Sequence, residues 1–173
     1  MEYERYLNSA KEEAFMDYYS QIAKGYYELH SREQLKKMSI IKRILKVSKS
    51  TRMLDVGCGT GLSSKFDCFV AGIDPSMGLL RCNKNANRVN GAAESLPFKD
   101  KSFDQVISVT SMHNFENIGK SISEIKRVGK RNFVLSILKK SAKFALIHDL
   151  IKENFRINGI VEEDKDMIFF CSL

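Results

Sequence analysis

An apolar run that ends in a cluster of glycines constrains this chain more than any other feature of its sequence. Residues 52–56 (Arg-Met-Leu-Asp-Val) lead directly into residues 57–61 (Gly-Cys-Gly-Thr-Gly). The apolar run predicts a buried strand, and the glycines predict a turn whose backbone adopts positive φ and closely approaches a ligand. We expect a helix to begin at Leu62 and to present its free N–H groups to the same ligand. A tight turn without a ligand is the alternative interpretation.

The rest of the chain alternates between strand and helix patterns. Further strands are predicted at residues 69–73, 88–90, 103–109, 132–138, 156–161 and 167–172. Helices are predicted within residues 1–30, at 32–47 with Ser31 as N-cap, near 76–83, and at 117–128 and 141–154. This alternation predicts an α/β fold with a doubly wound, mostly parallel sheet of seven strands and an N-terminal helical extension. The last two strands must pair antiparallel, because the acidic turn at residues 162–165 is too short for a parallel crossover.

The composition excludes several classes of protein. A hydrophobic content of 43% with mixed charge excludes a disordered chain, and 173 residues fit a single domain. No apolar run approaches the ~18 residues of a membrane-spanning helix, and no secretory signal is apparent. The cysteines lack C-x2-C spacing, which predicts free thiols, no metal site and a cytoplasmic location. These cysteines are Cys58, Cys68, Cys82 and Cys171.

Asp74 follows the second predicted strand, where the end of that strand is expected to meet the glycine turn. A carboxylate there can accept hydrogen bonds from both ribose hydroxyls of an adenosine-containing ligand. The alternative interpretation is an N-cap for the helix that starts near Ser76. A dinucleotide-binding fingerprint would place a third glycine at position 62, where this chain has leucine. Together, the glycine turn and Asp74 favour a ligand-binding edge of the sheet.

Four segments carry a resemblance to a known family. They are YYSQIAKGYY at 18–27, LDVGCGTG at 54–61, VAGIDPSMGLL at 70–80 and AAESLPFKDKSFDQVISVTSMHNF at 92–115. With these motifs in this order, the chain resembles the class I, seven-stranded S-adenosylmethionine-dependent methyltransferases of the menaquinone-biosynthesis-like, methyltransferase type 11 group. The resemblance implies one methyltransferase domain over residues 1–173, with a helical cap at 1–48 and a Rossmann-like core at 49–173.

The resemblance also implies S-adenosylmethionine (SAM) as the cofactor and suggests its contacts. The methionine end is expected at Asp55, Gly57, Cys58, Gly59, Thr60 and Gly61. The ribose is expected at Asp74 and Pro75, and the adenine at Met77, Ala92, Ala93 and Glu94. Val109 would lend its backbone to the cofactor, and Tyr19 and Tyr26 would close over it. The chain departs from the family pattern at Ala92, where Asp or Asn is common, and at residues 62–67, which leave room for only a short helix.

His113 follows the fourth predicted strand and is the candidate catalytic residue. The methyl group of a sulfonium ion is already activated, so transfer chiefly requires an aligned acceptor. A general base is needed only when the acceptor must lose a proton, and His113 is the candidate for that role. The alternative interpretation is a packed or hydrogen-bonded loop histidine.

The formal net charge of +7 originates in residues 31–52, where eight Lys or Arg residues accompany Glu33 alone. This stretch is either a binding surface for nucleic acid or the solvated face of an amphipathic helix. The apolar side of that helix would consist of Leu35, Met38, Ile41 and Leu45.

Our leading hypothesis is methyl transfer to a small-molecule acceptor. The alternatives are an RNA methyltransferase that uses the basic helix at 32–49, and a non-catalytic SAM-binding or partner-activating subunit.

Overall fold

A computed structural model describes residues 31–173 of the chain. Its strands are β1 (Arg52–Val56), β2 (Phe69–Asp74), β3 (Arg88–Asn90), β4 (Phe103–Ser108), β5 (Gly129–Leu138), β6 (Arg156–Glu162) and β7 (Asp166–Ser172). Its helices are α1 (residues 31–44), α2 (Met77–Cys82), α3 (Ile118–Val128) and α4 (Phe144–Asn154), with a 3-10 turn at Met112–Asn114. The helices predicted within residues 1–30, and the expected lid residues Tyr19 and Tyr26, lie outside the described residues.

The seven strands in the described part of the chain form one sheet in the order β3-β2-β1-β4-β5-β7-β6. The pairs that β1 to β5 form with one another are parallel, whereas β7 runs antiparallel to both β5 and β6. Because β1 and β4 are neighbours, the strand order reverses between them. Ligands of open α/β sheets bind at such a point, beyond the carboxyl ends of the strands. The predicted α/β fold, with its antiparallel last pair, is confirmed.

Apolar residues from helices and strands cover both faces of the sheet, so its central strands are apolar on both sides. The core on one face includes Ile122 and Ile125 of α3, Ile147 of α4, and Phe133 and Leu135 of β5. The core on the other face includes Met38 and Ile41 of α1, Met53 of β1, Ile107 of β4 and Val134 of β5. This burial explains why β1, β4 and β5 each contain adjacent apolar residues, at 53–54, 106–107 and 133–135.

The prediction of a helix that begins at Leu62 is wrong, because the described residues between β1 and β2 form only turns and bends. A backbone bond from Ser64 N–H to the Gly61 carbonyl, at 3.3 Å, closes a tight turn. An α-helix requires bonds that span four residues, and its first turn is costly to nucleate in so short a segment. The hydroxyls of Ser63 and Ser64 also bond to the carboxylate of Asp55. The loop therefore enters β2 without presenting a helix N-terminus.

Helix α1 differs from its prediction at its start, at its end and on its buried face. Ser31 is already helical and is therefore not the N-cap, and the helix ends at residue 44 rather than 47. Leu35, which was predicted to be buried, is 50% exposed, whereas Lys37 is only 1% exposed. Lys37 is buried because it pairs with a carboxylate inside the fold. Met38 and Ile41 are buried as predicted.

Two further boundaries differ from their predictions by three residues. Strand β5 begins at Gly129 rather than at residue 132, because Gly129 already pairs with Phe103 of β4. Helix α4 begins at Phe144 rather than at residue 141, after a turn closed by the Phe144 N–H and the Ser141 carbonyl.

Over residues 31–173, no helix combines the length and the apolar character that crossing a membrane requires.

Candidate cofactor-binding site

Three glycines between β1 and β2 adopt positive φ, at 75° for Gly57, 48° for Gly59 and 82° for Gly61. Two of them also lack room for a side chain. A Cβ atom at Gly57 would lie 2.4 Å from Cβ of Ser111, and a Cβ atom at Gly61 would lie 2.3 Å from Oδ1 of Asn83. Because side chains are strained at this φ, both conformation and packing require glycine at these two positions. The positive φ predicted for this turn is confirmed.

The glycine loop is anchored to β2 and to the residue that follows α2. The N–H groups of Gly57 and Cys58 both donate to the carbonyl of Ile73, at 2.8 and 3.1 Å. The amide of Asn83 donates to the carbonyl of Gly59 at 3.1 Å. These bonds define the shape of the loop without any ligand.

The side chains of Cys58 and Thr60 are buried within or behind the loop. The Cys58 thiol lies against β2, since a Cβ atom added to Gly72 would be 2.8 Å from its Sγ. Burial raises the pKa of this thiol, so it is neutral at pH 7. The Cys58 side chain therefore packs the loop onto the sheet, and its backbone is the part available to a ligand.

Asp55 lies in β1, directly below the glycine loop, and is completely buried. Its Oδ2 accepts hydrogen bonds from the hydroxyls of Ser63 at 2.7 Å and Ser64 at 2.6 Å. Its Oδ1 has no hydrogen-bond partner among the residues that the structure describes. Burial raises the pKa of Asp55 to about 6, although the two hydroxyl bonds act in the opposite direction. At pH 7 Asp55 is thus a carboxylate with one unsatisfied oxygen.

Asp74 ends β2 and joins the glycine loop to the start of α2. Its Oδ2 accepts a hydrogen bond from the Gly59 N–H, and its Oδ1 accepts one from the Ser76 N–H, both at 2.8 Å. The N-cap of α2 is Ser76, whose hydroxyl accepts from the Leu79 N–H, so the capping interpretation of Asp74 is wrong. Burial raises the pKa of Asp74, while the two N–H bonds lower it. Each oxygen retains a lone pair that a ligand hydroxyl could use.

The residues expected at the adenine differ in their exposure. Pro75 and Met77 are exposed, and Met77 has 48% of its surface accessible. Ala92 is exposed and Ala93 is buried. The Glu94 carboxylate accepts hydrogen bonds from the backbone N–H groups of residues 116 and 117, at 2.9 and 3.2 Å. Glu94 therefore holds the segment that leads into α3 through Oε1 of its carboxylate.

The segment after β4 packs against the glycine loop. Val109 is buried, and the hydroxyl of Ser111 donates to the carbonyl of Val56 at 3.0 Å. Ser111 also shares a 2.7 Å hydrogen bond with Ser108. Because Ser111 is in contact with Gly57 as well, the exits of β1 and β4 form one continuous edge. The structure thus brings Val109 to the same edge as the glycines and Asp74.

His113 lies on the 3-10 turn just beyond this segment and is half-buried. Its Nδ1 is buried and has no hydrogen-bond partner within residues 31–173. Burial lowers the pKa of His113 from its ordinary 6.5; nearby Asp166 opposes this effect, while Lys143 and Lys37 add to it. The imidazole is consequently neutral at pH 7 and able to accept a proton.

Sequence reasoning missed Ser111 and Asn83, which shape the glycine loop from two sides. Asn83 belongs to the alternating series Asn83, Asn85 and Asn87, a pattern that signals turn-forming side chains and could have been found. Asn85 donates to the Val70 carbonyl at 3.0 Å. For Ser111 the sequence contains no comparable signal, because its partners are distant in the chain.

The missing helix between β1 and β2 leaves a cavity of about 660 Å³ beside the loop. Its lining includes Gly61, Phe66, Phe69 and Asn85. Neither Asp74 nor His113 lines this cavity. It therefore reaches the glycine loop at Thr60 and Gly61 but does not extend to the position of Asp74.

The residues at this edge fit the groups of SAM. The unsatisfied Oδ1 of Asp55 matches a buried acceptor that awaits a donor such as an ammonium group. The nearly buried carboxylate of Asp74 suits a pair of hydroxyls, and the glycines permit close approach of the backbone. The fit therefore depends on the unpaired oxygen of Asp55, the carboxylate of Asp74 and the glycines of the loop.

Comparisons with known proteins agree with this geometry. A family described as "Methyltransferase domain" matches residues 54–137. An uncharacterized protein of Methanocaldococcus jannaschii is 32% identical over 148 residues, which cover 81% of this chain and 58% of the relative. A demethylmenaquinone methyltransferase of Staphylococcus aureus is 33% identical over 141 residues, which cover 71% of this chain and 58% of the relative. The chain thus spans less than two thirds of the length of these relatives.

A solved structure shares the fold. The SAM-dependent methyltransferase from Aquifex aeolicus superimposes with a TM-score of 0.69 at 16% identity, covering 82% of this chain and 92% of that chain. At this identity the likeness concerns the fold alone, whereas the sequence relatives and the matched motifs concern the family. The chain therefore belongs to the class I S-adenosylmethionine-dependent methyltransferases, whose cofactor is SAM.

Proposed function

We propose that this protein transfers the methyl group of SAM to a small-molecule acceptor. The observation that carries the proposal is the position of Asp74, whose carboxylate accepts from both the Gly59 and Ser76 N–H groups at 2.8 Å. These bonds aim one carboxylate at the edge where the glycine loop and β2 meet. Its remaining lone pairs suit the two ribose hydroxyls of SAM.

The other expected contacts follow from the same edge. We assign the methionine end of SAM to the backbone of residues 57–61 and to Asp55, whose unpaired Oδ1 supports contact with the ammonium group. The adenine is assigned to Met77 and to residues 92–94, where Oε1 of Glu94 also holds the backbone of residues 116 and 117. Pro75 adjoins the ribose, Val109 contributes its backbone, and Tyr19 and Tyr26 close the site. SAM itself supplies the activated methyl group.

We assign His113 as the general base for acceptors that must lose a proton. Its neutral state at pH 7 supports this role, because only an unprotonated imidazole can accept a proton. Acceptors that react without proton loss would require no such residue.

Two observations favour a small acceptor over RNA. Lys36 and Lys37, from the basic stretch, pair with carboxylates at positions 164 and 166. These pairs reduce the positive charge that α1 offers to a phosphate backbone. The S. aureus relative is named for demethylmenaquinone, which is a small molecule. We therefore do not advance RNA, or a non-catalytic role, as a second candidate.

We further propose that residues 1–173 act as one domain, with a cap at 1–48 and a core at 49–173, in the cytoplasm. The four cysteines are free thiols, as a reducing compartment favours. Helix α1 supports the cap assignment, since its Met38 and Ile41 pack onto the core.

The first experiment is calorimetric titration of the purified protein with SAM and with its demethylated product, S-adenosylhomocysteine (SAH). We expect both to bind in the micromolar range. Transfer of a labelled methyl group from SAM into a small-molecule extract, with an RNA pool in parallel, then identifies the acceptor class. Absence of binding to SAM and SAH would contradict the proposal, and labelling of RNA alone would contradict the small-molecule assignment.

A further inference from the structure

A buried ion pair lies beneath the exit of β4. Lys37 of α1 and Asp166, the first residue of β7, approach to 2.9 Å between Nζ and Oδ1. Their side chains are 2% and 0% exposed. Neither residue belongs to the motifs that carry the family resemblance. Burying two charges is costly, so a pair in this position requires an explanation.

The pair converges on one threonine. The Lys37 Nζ donates to Oγ1 of Thr110 at 2.8 Å, and the Thr110 hydroxyl donates to Oδ2 of Asp166 at 2.6 Å. The hydroxyl of Ser136 in β5 also donates to Oδ2 of Asp166, at 2.9 Å. Each charged group is therefore hydrogen-bonded, and Thr110 is the member of this cluster that belongs to the edge of the cofactor site.

Thr110 has an unusual backbone conformation. Its φ is 56°, in the left-handed region that β-branched residues rarely adopt. Its N–H donates to the hydroxyl of Ser136 at 2.7 Å, in addition to the two bonds of its side chain. Strained conformations of this kind persist where the surroundings over-determine them. Here Lys37, Asp166 and Ser136 supply those restraints.

The strained residue lies between two parts of the proposed site. It follows Val109, the residue assigned to lend its backbone to SAM, and it precedes Ser111. Ser111 in turn bonds to the carbonyl of Val56 and lies against Gly57. The segment 109–111 is thus held by the ion pair on one side and by the glycine loop on the other.

We propose that Lys37 and Asp166 are positioning residues, which hold Thr110 in its left-handed conformation and thereby place Val109 and Ser111 against the glycine loop that binds SAM. The inference rests on the proposed function, because it requires SAM to lie against this edge. It links α1 and β7, which carry no cofactor contact, to the affinity for the cofactor.

The size of the effect follows from the strain. Once the restraints are removed, the backbone of Thr110 relaxes into favoured φ regions. The fraction of molecules whose segment 109–111 is placed for cofactor binding then falls. The apparent dissociation constant rises by the same factor. For a non-glycine residue in this region, the strain corresponds to roughly 5- to 150-fold in population.

The first test compares Thr110→Ala with Thr110→Gly by calorimetric titration with SAH. Both variants lose the hydroxyl and leave the Lys37–Asp166 contact in place. Glycine adopts positive φ without strain, so Thr110→Gly should bind SAH within about threefold of the unmodified protein. Thr110→Ala should bind at least about fivefold more weakly. Equal affinities of the two variants would overturn the proposal.

The second test removes the ion pair itself. Lys37→Met combined with Asp166→Asn leaves no lone buried charge, so this double variant should fold, as a thermal melt will verify. We expect its affinity for SAH to fall at least about fivefold, and the addition of Thr110→Gly to restore it within about threefold. A purely structural role would lower the melting temperature without such a rescue, and would overturn the proposal.

The two tests separate this inference from the proposed function. If the unmodified protein binds SAH and every variant binds it equally, the positioning role is wrong and the proposed function stands. If the unmodified protein does not bind SAH, the proposed function is contradicted, and the positioning role is overturned with it.

Discussion

The carboxylate of Asp74 accepts a hydrogen bond from the backbone N–H of Gly59, with 2.8 Å between Oδ2 and the nitrogen. This bond joins two motifs that are separate in the sequence, and it sets the distance between the glycine loop and the end of β2. The same carboxylate accepts from the Ser76 N–H. One side chain therefore organises both halves of the proposed SAM site.

We expect Asp74→Ala to weaken binding of SAM and SAH by roughly 5- to 150-fold, as the loss of a hydrogen-bonded partner of about 1–3 kcal/mol implies. Asp74→Asn, which keeps an acceptor oxygen, should lose less. Titration calorimetry measures both variants. Asp149→Asn, an exposed aspartate on α4, is the matched control and should bind normally. Unchanged affinity in Asp74→Ala would refute the ribose assignment.

We expect Gly57→Ala to destabilise the fold by about 1–3 kcal/mol from backbone strain, with a further cost from the contact with Ser111. Denaturation with urea measures the free energy of unfolding. Gly159→Ala in β6 is the control, because among the described residues its added Cβ meets nothing within 4 Å. Combining Gly57→Ala with Ser111→Gly should recover part of the loss by removing the clash. Equal stability of the Gly57 and Gly159 variants would contradict this explanation.

We expect Asp55 to make the fold less stable as pH rises from about 4 to 6. Burial raises its pKa from 3.8 to about 6, so the folded state keeps a proton that the unfolded state has lost. Unfolding then releases that proton, and the free energy of unfolding falls by about 3 kcal/mol across this interval and is level above it. Asp55→Asn cannot ionise and should abolish this component.

The measurement is urea denaturation of the unmodified protein and of Asp55→Asn, at several values between pH 4 and pH 7.5. The difference between the two proteins removes the contributions of other titrating groups, including Asp74. We expect the variant to gain stability relative to the unmodified protein as pH rises. Parallel pH profiles would contradict the raised pKa of Asp55.

We expect His113 to titrate below 6.5 in an NMR experiment, because burial disfavours its charged form. His113→Asn should lower turnover by about 10²- to 10⁴-fold with an acceptor that loses a proton, and should leave SAH affinity unchanged. His148→Asn on α4 is the control for removing an imidazole. Unchanged turnover in His113→Asn would return His113 to a packing role.

Much of the fold could be predicted because it follows from local patterns. Strands β1, β4 and β5 each contain adjacent apolar residues, because these strands are buried on both faces. The positive φ of Gly57, Gly59 and Gly61 was predictable because glycine adopts this region without strain. The place of Asp74 followed from its position at the end of an apolar run.

The errors arose where a partner outside the segment itself determined the local structure. The helix expected at Leu62 does not form, because the hydroxyls of Ser63 and Ser64 bond to Asp55 in the strand before them. In α1, helical spacing predicted that Leu35 would be buried, yet Lys37 occupies the interior because Asp166 lies there.

The sequence by itself determined the order of strands and helices, the glycine turn and the family, since each depends on neighbouring residues. Only the tertiary structure decided that Thr110, Lys37 and Asp166 meet beneath the exit of β4. A buried charge and a strained threonine are each unfavourable alone and are stable only together. Their meeting depends on how α1 and β7 pack against the sheet, which no local pattern records.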